Sequence, residues 1–422
     1  MRRRRKKLNR FVDESYKNEI LFYSQKIFLN FDIESKLNDT YNQEVILNFL
    51  GENFKTKKIV SSYTILDKNI EKLSKIINLD EDEKKFFRFV ILLLLNQIFQ
   101  DITELLGELS IFTLSQVLSK ILDIELEKVT NILTNSILIK SNFISINNGI
   151  VVLNNKFDII HLSFAEKMAY FNISIFEMLK DYIKKTIPST LTLDDYSYIK
   201  DIKYILKYLQ TPKKGVNILF YGLAGTGKTE LSKLIAYKLN RTLYELSLGE
   251  NFPIQGLDRI KPYKIAQTIL DKNSIILFDE AEDLFNRDFK RQKAKAYINN
   301  LLETNKIPTI WITNDINAID EAIIRRFDYV LEFKIPPKKI RKKIIKKYAN
   351  LSPKTIKLLS YHKFLTPAVI ERNIKVWKSC SKDEKILIKM INNTLIAQGY
   401  SKITKKLKKR NIIYQIFIIQ NL

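Results

Sequence analysis

One short segment combines glycines, a lysine and a hydroxyl side chain in a pattern suited to binding phosphate. Glycines allow the backbone to curl so that successive N–H groups point inward and hold phosphate oxygens. A lysine in this position reaches the β- and γ-phosphates of a nucleotide, and the hydroxyl that follows it can ligate magnesium. The pattern predicts a phosphate-binding loop, with an ordinary glycine turn before a helix as the alternative. The predicted nucleotide contacts are Gly222, Leu223, Ala224, Gly225, Thr226, Gly227, Lys228, Thr229 and Glu230, and Thr229 is also a predicted metal ligand.

The sequence on both sides of this loop predicts the elements that must position it. Residues 216–221 form an apolar run suited to a buried strand. After the loop, Leu231, Leu234, Ile235 and Leu239 recur at helical spacing. A turn from a strand into a helix is the context that the phosphate-binding motif requires.

Two adjacent carboxylates follow a second apolar run at residues 274–278. Open α/β sheets bind their ligands at the carboxyl ends of the strands, where Asp279 and Glu280 would lie. Asp279 can hold magnesium directly or through water, and Glu280 can orient and deprotonate an attacking water. The alternative is that the two acids cap the next helix.

Three more polar residues extend this predicted catalytic set. Asn314 follows the apolar run at 308–313, and its amide can help to position the attacking water. An ordinary turn is the alternative there. Arg325 and Arg326 come next, and a guanidinium can stabilise charge on a transferred phosphoryl group, also from another subunit. Structural salt bridging is the alternative for either arginine.

Composition limits the possible partners and compartments. The 422 residues include 71 Lys and Arg against 46 Asp and Glu, a formal charge of +25, so contact with nucleic acid or another polyanion is worth testing. The single cysteine, Cys380, excludes an internal disulfide and a multi-cysteine zinc site, and it favours a reducing compartment. The longest apolar run, residues 89–95, is far shorter than the roughly 20 residues of a membrane helix. We therefore expect a soluble, cytoplasmic protein.

The N-terminal part of the chain predicts mainly helices. Asp80 is a plausible cap for a helix that ends by Gly107, and helices follow at 113–122 and 125–135. The β-prone runs 143–146 and 150–153, joined by Asn-Asn-Gly, predict a hairpin.

This order resembles a winged helix, in which residues 125–135 would be the recognition helix. That segment is not basic, so we favour a protein contact over DNA reading while keeping both.

A linker is predicted at 182–192, and beyond it short apolar runs alternate with helical segments, which indicates a parallel sheet covered by helices. The runs lie at 216–221, 243–247, 274–278, 308–313 and 329–333. The predicted organisation is a helical region (1–80), a winged-helix-like domain with the linker (81–188), a nucleotide-binding core (189–336) and a helical lid with a basic tail (337–422).

The order of phosphate loop, acid pair, asparagine and paired arginines resembles the AAA+ ATPase family, closest to its classical AAA branch, over roughly residues 190–375. The whole chain resembles little-characterised bacterial single-module AAA ATPases with a helical N-terminal region. The resemblance implies an α/β fold, a P-loop NTPase with a five-stranded parallel sheet and a helical lid, that binds ATP and Mg²⁺ between them. It also implies a homo-oligomeric ring, usually a hexamer, with Asn314 as sensor 1 and Arg325 or Arg326 as the finger that enters a neighbour's site.

The sequence departs from that family's pattern in three places. The two arginines adjoin, whereas the family usually separates them by two residues. The lid segment 365–371 resembles the sensor 2 turn but lacks its arginine, for which Arg372 is a weak substitute. Ile254 stands where a substrate-gripping pore loop usually has an aromatic residue, and Phe252 is the alternative.

Three functions follow from these residues. The first is ATP hydrolysis coupled to remodelling of a protein partner, with the N-terminal region choosing that partner. The second is an ATP-switched nucleic-acid factor, and the third is a slow nucleotide-dependent scaffold. With only two histidines and no His-Glu-x-x-His motif, the sequence excludes the zinc protease site of membrane-bound AAA proteases.

Overall fold

The computed structural model describes residues 16–403 except 39, 41, 57, 59–62, 212–213, 248–255 and 286–291. It divides into two compact units, which are described separately. The first comprises residues 1–186, 244–278 and 305–307, and the second comprises residues 187–243, 279–304 and 308–422.

The part of the chain before residue 187 is mainly helical, as predicted. Its elements are α1 (Lys17–Asn30), α2 (Glu34–Asn38), α3 (Gln43–Leu50), α4 (Ile65–Ile77), α5 (Glu81–Leu95), α6 (Gln97–Glu104), β1 (Glu108–Leu109), α7 (Ile111–Leu122), α8 (Leu126–Asn135), α9 (Ile137–Lys140), β2 (Ile144–Ile146), β3 (Val151–Val152), β4 (Phe157–Ile159), α10 (Leu162–Tyr170), α11 (Ile175–Met178) and β5 (Ile183–Lys185).

The remainder alternates strands with helices and then becomes helical. Its elements are α12 (Ile202–Gln210), β6 (Asn217–Tyr221), α13 (Lys228–Lys238), β7 (Thr242–Leu246), α14 (Ile260–Ile269), β8 (Ser274–Phe278), α15 (Glu282–Phe285), α16 (Gln292–Thr304), β9 (Thr309–Thr313), α17 (Glu321–Ile324), β10 (Tyr329–Glu332), α18 (Lys338–Tyr348), α19 (Pro353–Tyr361), α20 (Pro367–Cys380) and α21 (Glu384–Ala397).

Helix α5 begins where the sequence predicted but ends earlier. The Asp80 carboxylate accepts a hydrogen bond from the N–H of Glu83 (2.7 Å), and the Glu83 carboxylate accepts one from the N–H of Asp80 (3.0 Å). This reciprocal pair satisfies two of the unpaired donors at the helix start. The helix predicted to end by Gly107 ends at Leu95, and Asn96 caps a new helix by accepting from the N–H of Phe99 (2.9 Å). The chain bends by 102° there.

The predicted hairpin between residues 143 and 153 is wrong. Strand β2 pairs antiparallel with β4, and β3 pairs antiparallel with β1, so each strand finds its partner outside the local turn. The Asn-Gly segment is nevertheless a turn, since the Asn147 Oδ1 accepts from the N–H of Gly149 (2.9 Å). Asn147 also donates from its N–H to the carbonyl of Lys156 (2.8 Å), which continues the alignment of β2 with β4. Residues 148–155 therefore form an excursion between these two strands.

Within the described ranges, no single helix is long and apolar enough to cross a membrane. Helices α5 and α6 reach the required length and composition only as a bent pair. The apolar side chains of α5 are buried in the first unit, with Phe87, Phe89 and Leu93 fully covered.

The five apolar runs that predicted strands are confirmed as β6, β7, β8, β9 and β10. In the second unit β6 pairs in parallel with both β9 and β10, so β6 is the middle strand of the three. Its start is fixed by Asp328, whose carboxylate accepts from the N–H of Asn217 (2.7 Å). Strands β6 and β9 are buried on both faces, as parallel strands covered by helices should be, whereas β10 exposes Val330 and Glu332.

The first unit also contains a strand that the five apolar runs did not predict. In the first unit β5 pairs antiparallel with β7, in a register that places Ile183 opposite Leu246. The segment predicted as a linker therefore contains a strand at its beginning. The α/β class and the helical C-terminal lid are both confirmed.

The lid consists of helices α18, α19, α20 and α21 around one apolar core. Fully covered side chains in this core include Leu359, Ile370 and Leu387. The buried Arg341 guanidinium donates to the carbonyl of Ser360 (2.7 Å) and to that of Pro336 (2.5 Å), which ties α18 to its neighbours. These hydrogen bonds satisfy a charge that would otherwise be costly to bury.

Candidate active site

The predicted phosphate-binding loop lies between β6 and α13, as the sequence indicated. Gly225 and Gly227 both have positive φ angles, 76° and 101°. A Cβ added at Gly225 would lie 2.7 Å from the Cβ of Ala368, and one at Gly227 would lie 2.7 Å from the hydroxyl of Tyr196. Glycine is therefore required at both positions by backbone conformation and by space. The result is a narrow turn that ends at the N-terminus of α13.

Lys228 is the first residue of α13, and its ammonium group turns back into the loop. It donates to the carbonyls of Gly222 (2.6 Å) and Leu223 (3.1 Å) and to the Oδ1 of Asn314 (3.0 Å). Burial lowers the pKa of Lys228, while the nearby Asp279 and Glu282 carboxylates act in the opposite direction. All three acceptors are neutral, so a phosphate group would supply an anionic partner to this buried ammonium.

The oxygen ligands predicted for a metal lie side by side. The hydroxyl of Thr229 donates to the Oδ2 of Asp279 (3.1 Å), and the Oδ1 of Asp279 accepts from the N–H of Glu280 (2.8 Å). Among the described residues, no cluster of three or more His, Cys, Asp or Glu side chains could hold a metal alone. Hydroxyl and carboxylate oxygens suit Mg²⁺, which usually takes its other ligands from water and substrate phosphates. These two side chains therefore fit a Mg²⁺ ion that arrives with a nucleotide.

Asn314 comes directly after β9 and faces the loop. Besides accepting from Lys228, it donates from its N–H to the Oε1 of Glu282 (3.3 Å). Glu282 had no predicted role, because its place two residues beyond Glu280 carries no pattern that distinguishes it from a helix-capping acid.

A cavity of about 430 Å³ brings these residues together. Its walls include the loop from Ala224 to Glu230 together with Asp279, Glu280 and Asn314. The structure therefore places all of the predicted acids and the predicted asparagine around one space. The loop contributes backbone N–H groups at the start of α13, which favours an anion there.

Three tyrosines that the sequence did not single out also line this cavity, namely Tyr196, Tyr198 and Tyr348. The Tyr196 hydroxyl donates to the carbonyl of Gly227 (2.9 Å), and burial raises the pKa of this phenol. Burial also raises the pKa of Tyr198 to about 12. Burial, followed by the neighbouring Glu371 carboxylate, raises that of Tyr348 to about 12. No local motif marks these residues, since Tyr196 and Tyr198 lie before α12 and Tyr348 is the last residue of α18.

The lid contacts the loop through the segment predicted as a sensor 2 turn. The N–H of Ala368 donates to the carbonyl of Gly225 (3.2 Å), and Pro367 begins helix α20 beside it. Arg372 lines the same cavity from the next turn of that helix. A movement of α20 would therefore be transmitted to the phosphate-binding loop through this hydrogen bond.

Glu230 lines the cavity but its carboxylate is held elsewhere. It accepts from the hydroxyl of Ser189 (2.5 Å) and from the ammonium of Lys233 (2.7 Å). These contacts tie α13 to residues before α12. The side chain is thus engaged in the protein, and its predicted contact with a nucleotide stays a prediction.

The two arginines do not line this cavity. Both are exposed just after α17, and Arg326 forms a salt bridge with Glu303. The side chain of Arg325 makes no hydrogen bond or salt bridge with the described residues. The pore-loop candidates Phe252 and Ile254 lie outside the described residues.

Comparison with known proteins agrees with this geometry. Residues 218–335 match the family described as "ATPase family associated with various cellular activities (AAA)". A 26S proteasome regulatory subunit homolog from Methanothermobacter thermautotrophicus is 30% identical over 191 residues, which are 40% of this chain and 50% of that protein. The 26S proteasome regulatory subunit 4 homolog of Encephalitozoon cuniculi is 28% identical over 205 residues, 44% of this chain and 46% of that protein.

The ATP-dependent zinc metalloprotease FtsH of Lachnoclostridium phytofermentans is 29% identical over 180 residues, 38% of this chain and 30% of that protein. This chain thus spans half or less of the length of these curated relatives. The similarity covers the loop, the acid pair, Asn314 and the arginines within residues 218–335. On this match and on the geometry of the loop, residues 218–335 form a domain similar to the AAA family of ATPases.

Proposed function

We propose that this chain hydrolyses ATP in the cavity beside the phosphate-binding loop and uses the energy to remodel a protein partner. The observation that carries the proposal is the meeting of Lys228, Thr229, Asp279, Glu280 and Asn314 around one space. Each of these side chains has the chemistry that phosphoryl transfer to water requires, and catalysis of this reaction is mainly positioning and charge stabilisation.

Each residue has a defined part in the proposed reaction. Lys228 leaves the loop carbonyls and donates to the β- and γ-phosphates, while the loop N–H groups hold the phosphate oxygens. Glu280 accepts a proton from the attacking water, and the amide of Asn314 holds that water in line. Thr229 and Asp279 would hold Mg²⁺, which when bound neutralises charge on the phosphates.

Replacement of Glu280 by glutamine tests the proposed hydrolysis. We expect turnover to fall at least about 100-fold, because proton transfer contributes about that much or more, while ATP affinity stays within about twofold. Steady-state phosphate release and nucleotide binding measure the two effects. A matched control is Glu321→Gln, which removes a similar exposed carboxylate on α17 and should leave turnover unchanged. Normal turnover in the Glu280→Gln variant would show that the assigned base is wrong.

The proposed homo-oligomeric ring, a hexamer by family resemblance, would explain why the arginines lie away from their own cavity. We favour Arg325 as the residue that enters a neighbour's site, because Arg326 is paired with Glu303 in its own chain. An Arg325→Ala protein should lose most of its turnover. Mixing it with a Lys228→Ala protein should restore part of that turnover. In the mixture the Lys228→Ala chain supplies Arg325 to the intact phosphate-binding loop of an Arg325→Ala neighbour. Phosphate release by the mixture measures the recovery, and no recovery would contradict a shared site.

The proposal that the partner is a protein rests partly on the surface of α8, the predicted recognition helix. Its exposed polar side chains include Glu127, Lys128, Thr130 and Asn131. The Thr130 hydroxyl donates to the carbonyl of Leu126 (2.9 Å), and Lys128 pairs with Glu125 (3.6 Å), so little positive charge is free there. Binding to DNA depends on cationic side chains that contact its phosphates. This surface therefore favours a protein contact. The cytoplasm is the proposed compartment, on the basis of the single cysteine.

A further inference from the structure

The helical lid carries a disproportionate share of the positive charge. Residues 337–403 contain 17 lysines and arginines and three acidic residues, a net +14 within a chain whose total is +25. The proposed hydrolysis uses little of this charge, because the nucleotide cavity takes only Lys347 and Arg372 from the basic residues of the lid. The other basic residues of the lid are therefore available to bind a partner other than the nucleotide.

Part of this charge surrounds a second cavity, which we name the lid groove. It has a volume of about 920 Å³ and lies along α19, the start of α21 and the residues after α21. Leu358, Ile388 and Ile403 form an apolar floor that continues into the lid core. The basic residues on its rim are Lys354, Lys357, Lys382, Lys385 and Lys402, all exposed.

The two acidic residues of the lid groove form no salt bridge with these lysines and offset only two of their five charges. Glu384 accepts from the N–H of Ser352 (2.6 Å), from the Ser352 hydroxyl (2.6 Å) and from the Thr355 hydroxyl (2.5 Å). These hydrogen bonds lower the pKa of Glu384 even though its partial burial acts to raise it. Asp383 caps α21 by accepting from the N–H of Lys385 (2.8 Å). None of the five rim lysines forms a salt bridge with the residues that the structure describes.

We propose that the lid groove binds an acidic segment of a partner protein, one in which apolar side chains alternate with carboxylates. The apolar side chains would cover the floor, and the carboxylates would pair with the lysine rim, so both features of the groove are used. The inference rests on the proposed function in one respect, namely that the partner is a protein. It adds a second recognition surface, distant in sequence from the N-terminal region.

The chemistry of the groove favours a peptide over a nucleic acid. Single-stranded nucleic acids are held by aromatic side chains on which bases stack, together with a cationic track. The aromatic side chain in the groove other than His362 is Tyr361, and the ammonium of Lys338 lies 3.1 Å from the centre of its ring. That face of Tyr361 is thus covered. The apolar floor of Leu358, Ile388 and Ile403 suits leucine-like side chains better than bases.

The test measures binding of the full-length protein to fluorescent probes by anisotropy. The probes are a short peptide of alternating glutamate and leucine, the same peptide with serine in place of leucine, and a single-stranded oligothymidylate. The groove variant carries Lys354→Glu and Lys385→Glu. Its matched control carries Lys375→Glu and Lys378→Glu, which make the same charge change on exposed positions of α20 outside the groove.

We expect the glutamate–leucine peptide to bind at least about tenfold more tightly than the serine peptide, because only the former covers the floor. The groove variant should bind it about tenfold more weakly than the control variant, because charge reversal turns attraction into repulsion. Equal losses in the two variants, or absence of peptide binding, would overturn the proposal. Tighter, groove-dependent binding of the oligothymidylate would overturn it in favour of a nucleic-acid site.

Failure of this inference and failure of the proposed function give different results. The groove variant should keep normal ATP turnover, because neither of its lysines lines the nucleotide cavity. The Glu280→Gln variant should keep peptide binding while losing turnover. If the groove variant binds the peptide as tightly as the wild-type protein does, only the proposed peptide site in the lid groove is contradicted.

Discussion

The nucleotide cavity and the lid groove use the same residue type in opposite ways. In the cavity one buried lysine, Lys228, is held by three neutral oxygens at 2.6 to 3.1 Å. In the groove five lysines stand exposed on a rim, without salt bridges to the described residues. A buried ammonium whose pKa is lowered by burial acts at short range on one ligand group. Exposed ammonium groups act together through a field that solvent and salt weaken.

This difference teaches what each site can select. The position of Lys228 is set by the loop and by Asn314, so it discriminates by geometry and tolerates little change. The groove lysines lie on helix surfaces, where side chains are long and free to move, so they discriminate by charge density and by what fits the floor. We expect single substitutions to be severe in the cavity and mild in the groove.

The largest expected effect tests the cavity side of this comparison. Replacement of Lys228 by methionine keeps the length of the side chain and removes its charge. We expect turnover to fall at least about 100-fold, because charge-assisted hydrogen bonds worth about 1.5–3 kcal/mol each are lost. Phosphate release measures this effect, and Lys357→Met in the groove is the control that should leave it unchanged. Equal turnover in the two variants would contradict the claim that the buried Lys228, unlike the exposed Lys357, is needed for hydrolysis.

An effect of intermediate size is expected from salt, which should weaken ligand binding more at the lid groove than at the nucleotide cavity. Between about 50 and 200 mM salt we expect binding of the glutamate–leucine peptide to weaken about tenfold, because exposed charges are screened. Binding of ATP should weaken less than about threefold, because Lys228 is mostly shielded from ions. Anisotropy titrations with the peptide and with a fluorescent ATP analogue measure both slopes. Parallel slopes would mean that both sites work by long-range attraction.

The smallest expected effect concerns how the loop is held in place for Lys228. Tyr196→Phe removes the hydrogen bond from the phenol to the carbonyl of Gly227. We expect the free energy of unfolding to fall by about 0.5–1.5 kcal/mol, because one hydrogen bond is lost while the Gly227 carbonyl keeps the one it accepts from the N–H of Leu231 (2.9 Å). Denaturant unfolding measures the change. Tyr237→Phe on the exposed face of α13 is the control, and it should lie within about 0.5 kcal/mol of wild type.

Much of the second unit could be predicted because its signals are local. Strands β6, β8 and β9 are mainly apolar, and Asp279, Glu280 and Asn314 follow strands directly, so sequence position alone predicted where these three residues would lie. Asp279 after β8 and Asn314 after β9 are the clearest cases. Parallel strands buried on both faces give this pattern because every side chain must be apolar.

The missed features depend on contacts between distant segments. Strand β5 is three residues long and contains two lysines, so only its pairing with β7 identifies it. The false hairpin arose because Asn-Gly predicts a turn but cannot specify which strands pair across it. Tyr196 could not be assigned to the cavity for a similar reason, because it meets Gly227 across 31 positions of sequence.

The backbone at Glu280 has a consequence for how this protein can change over time. Its φ is +54°, and the other described non-glycine residues with positive φ are Asn53, Asn78, Asp123, Asn142 and Asn240. Asparagine and aspartate tolerate this conformation, whereas a glutamate held there costs about 1 kcal/mol or more. The residue that we propose as the base therefore occupies a position that lowers the stability of the fold. Substitution of Glu280 by asparagine or glycine would relieve the strained φ and raise the free energy of unfolding, but it would remove the proposed base. Stability and the proposed activity therefore make opposite demands on this one residue.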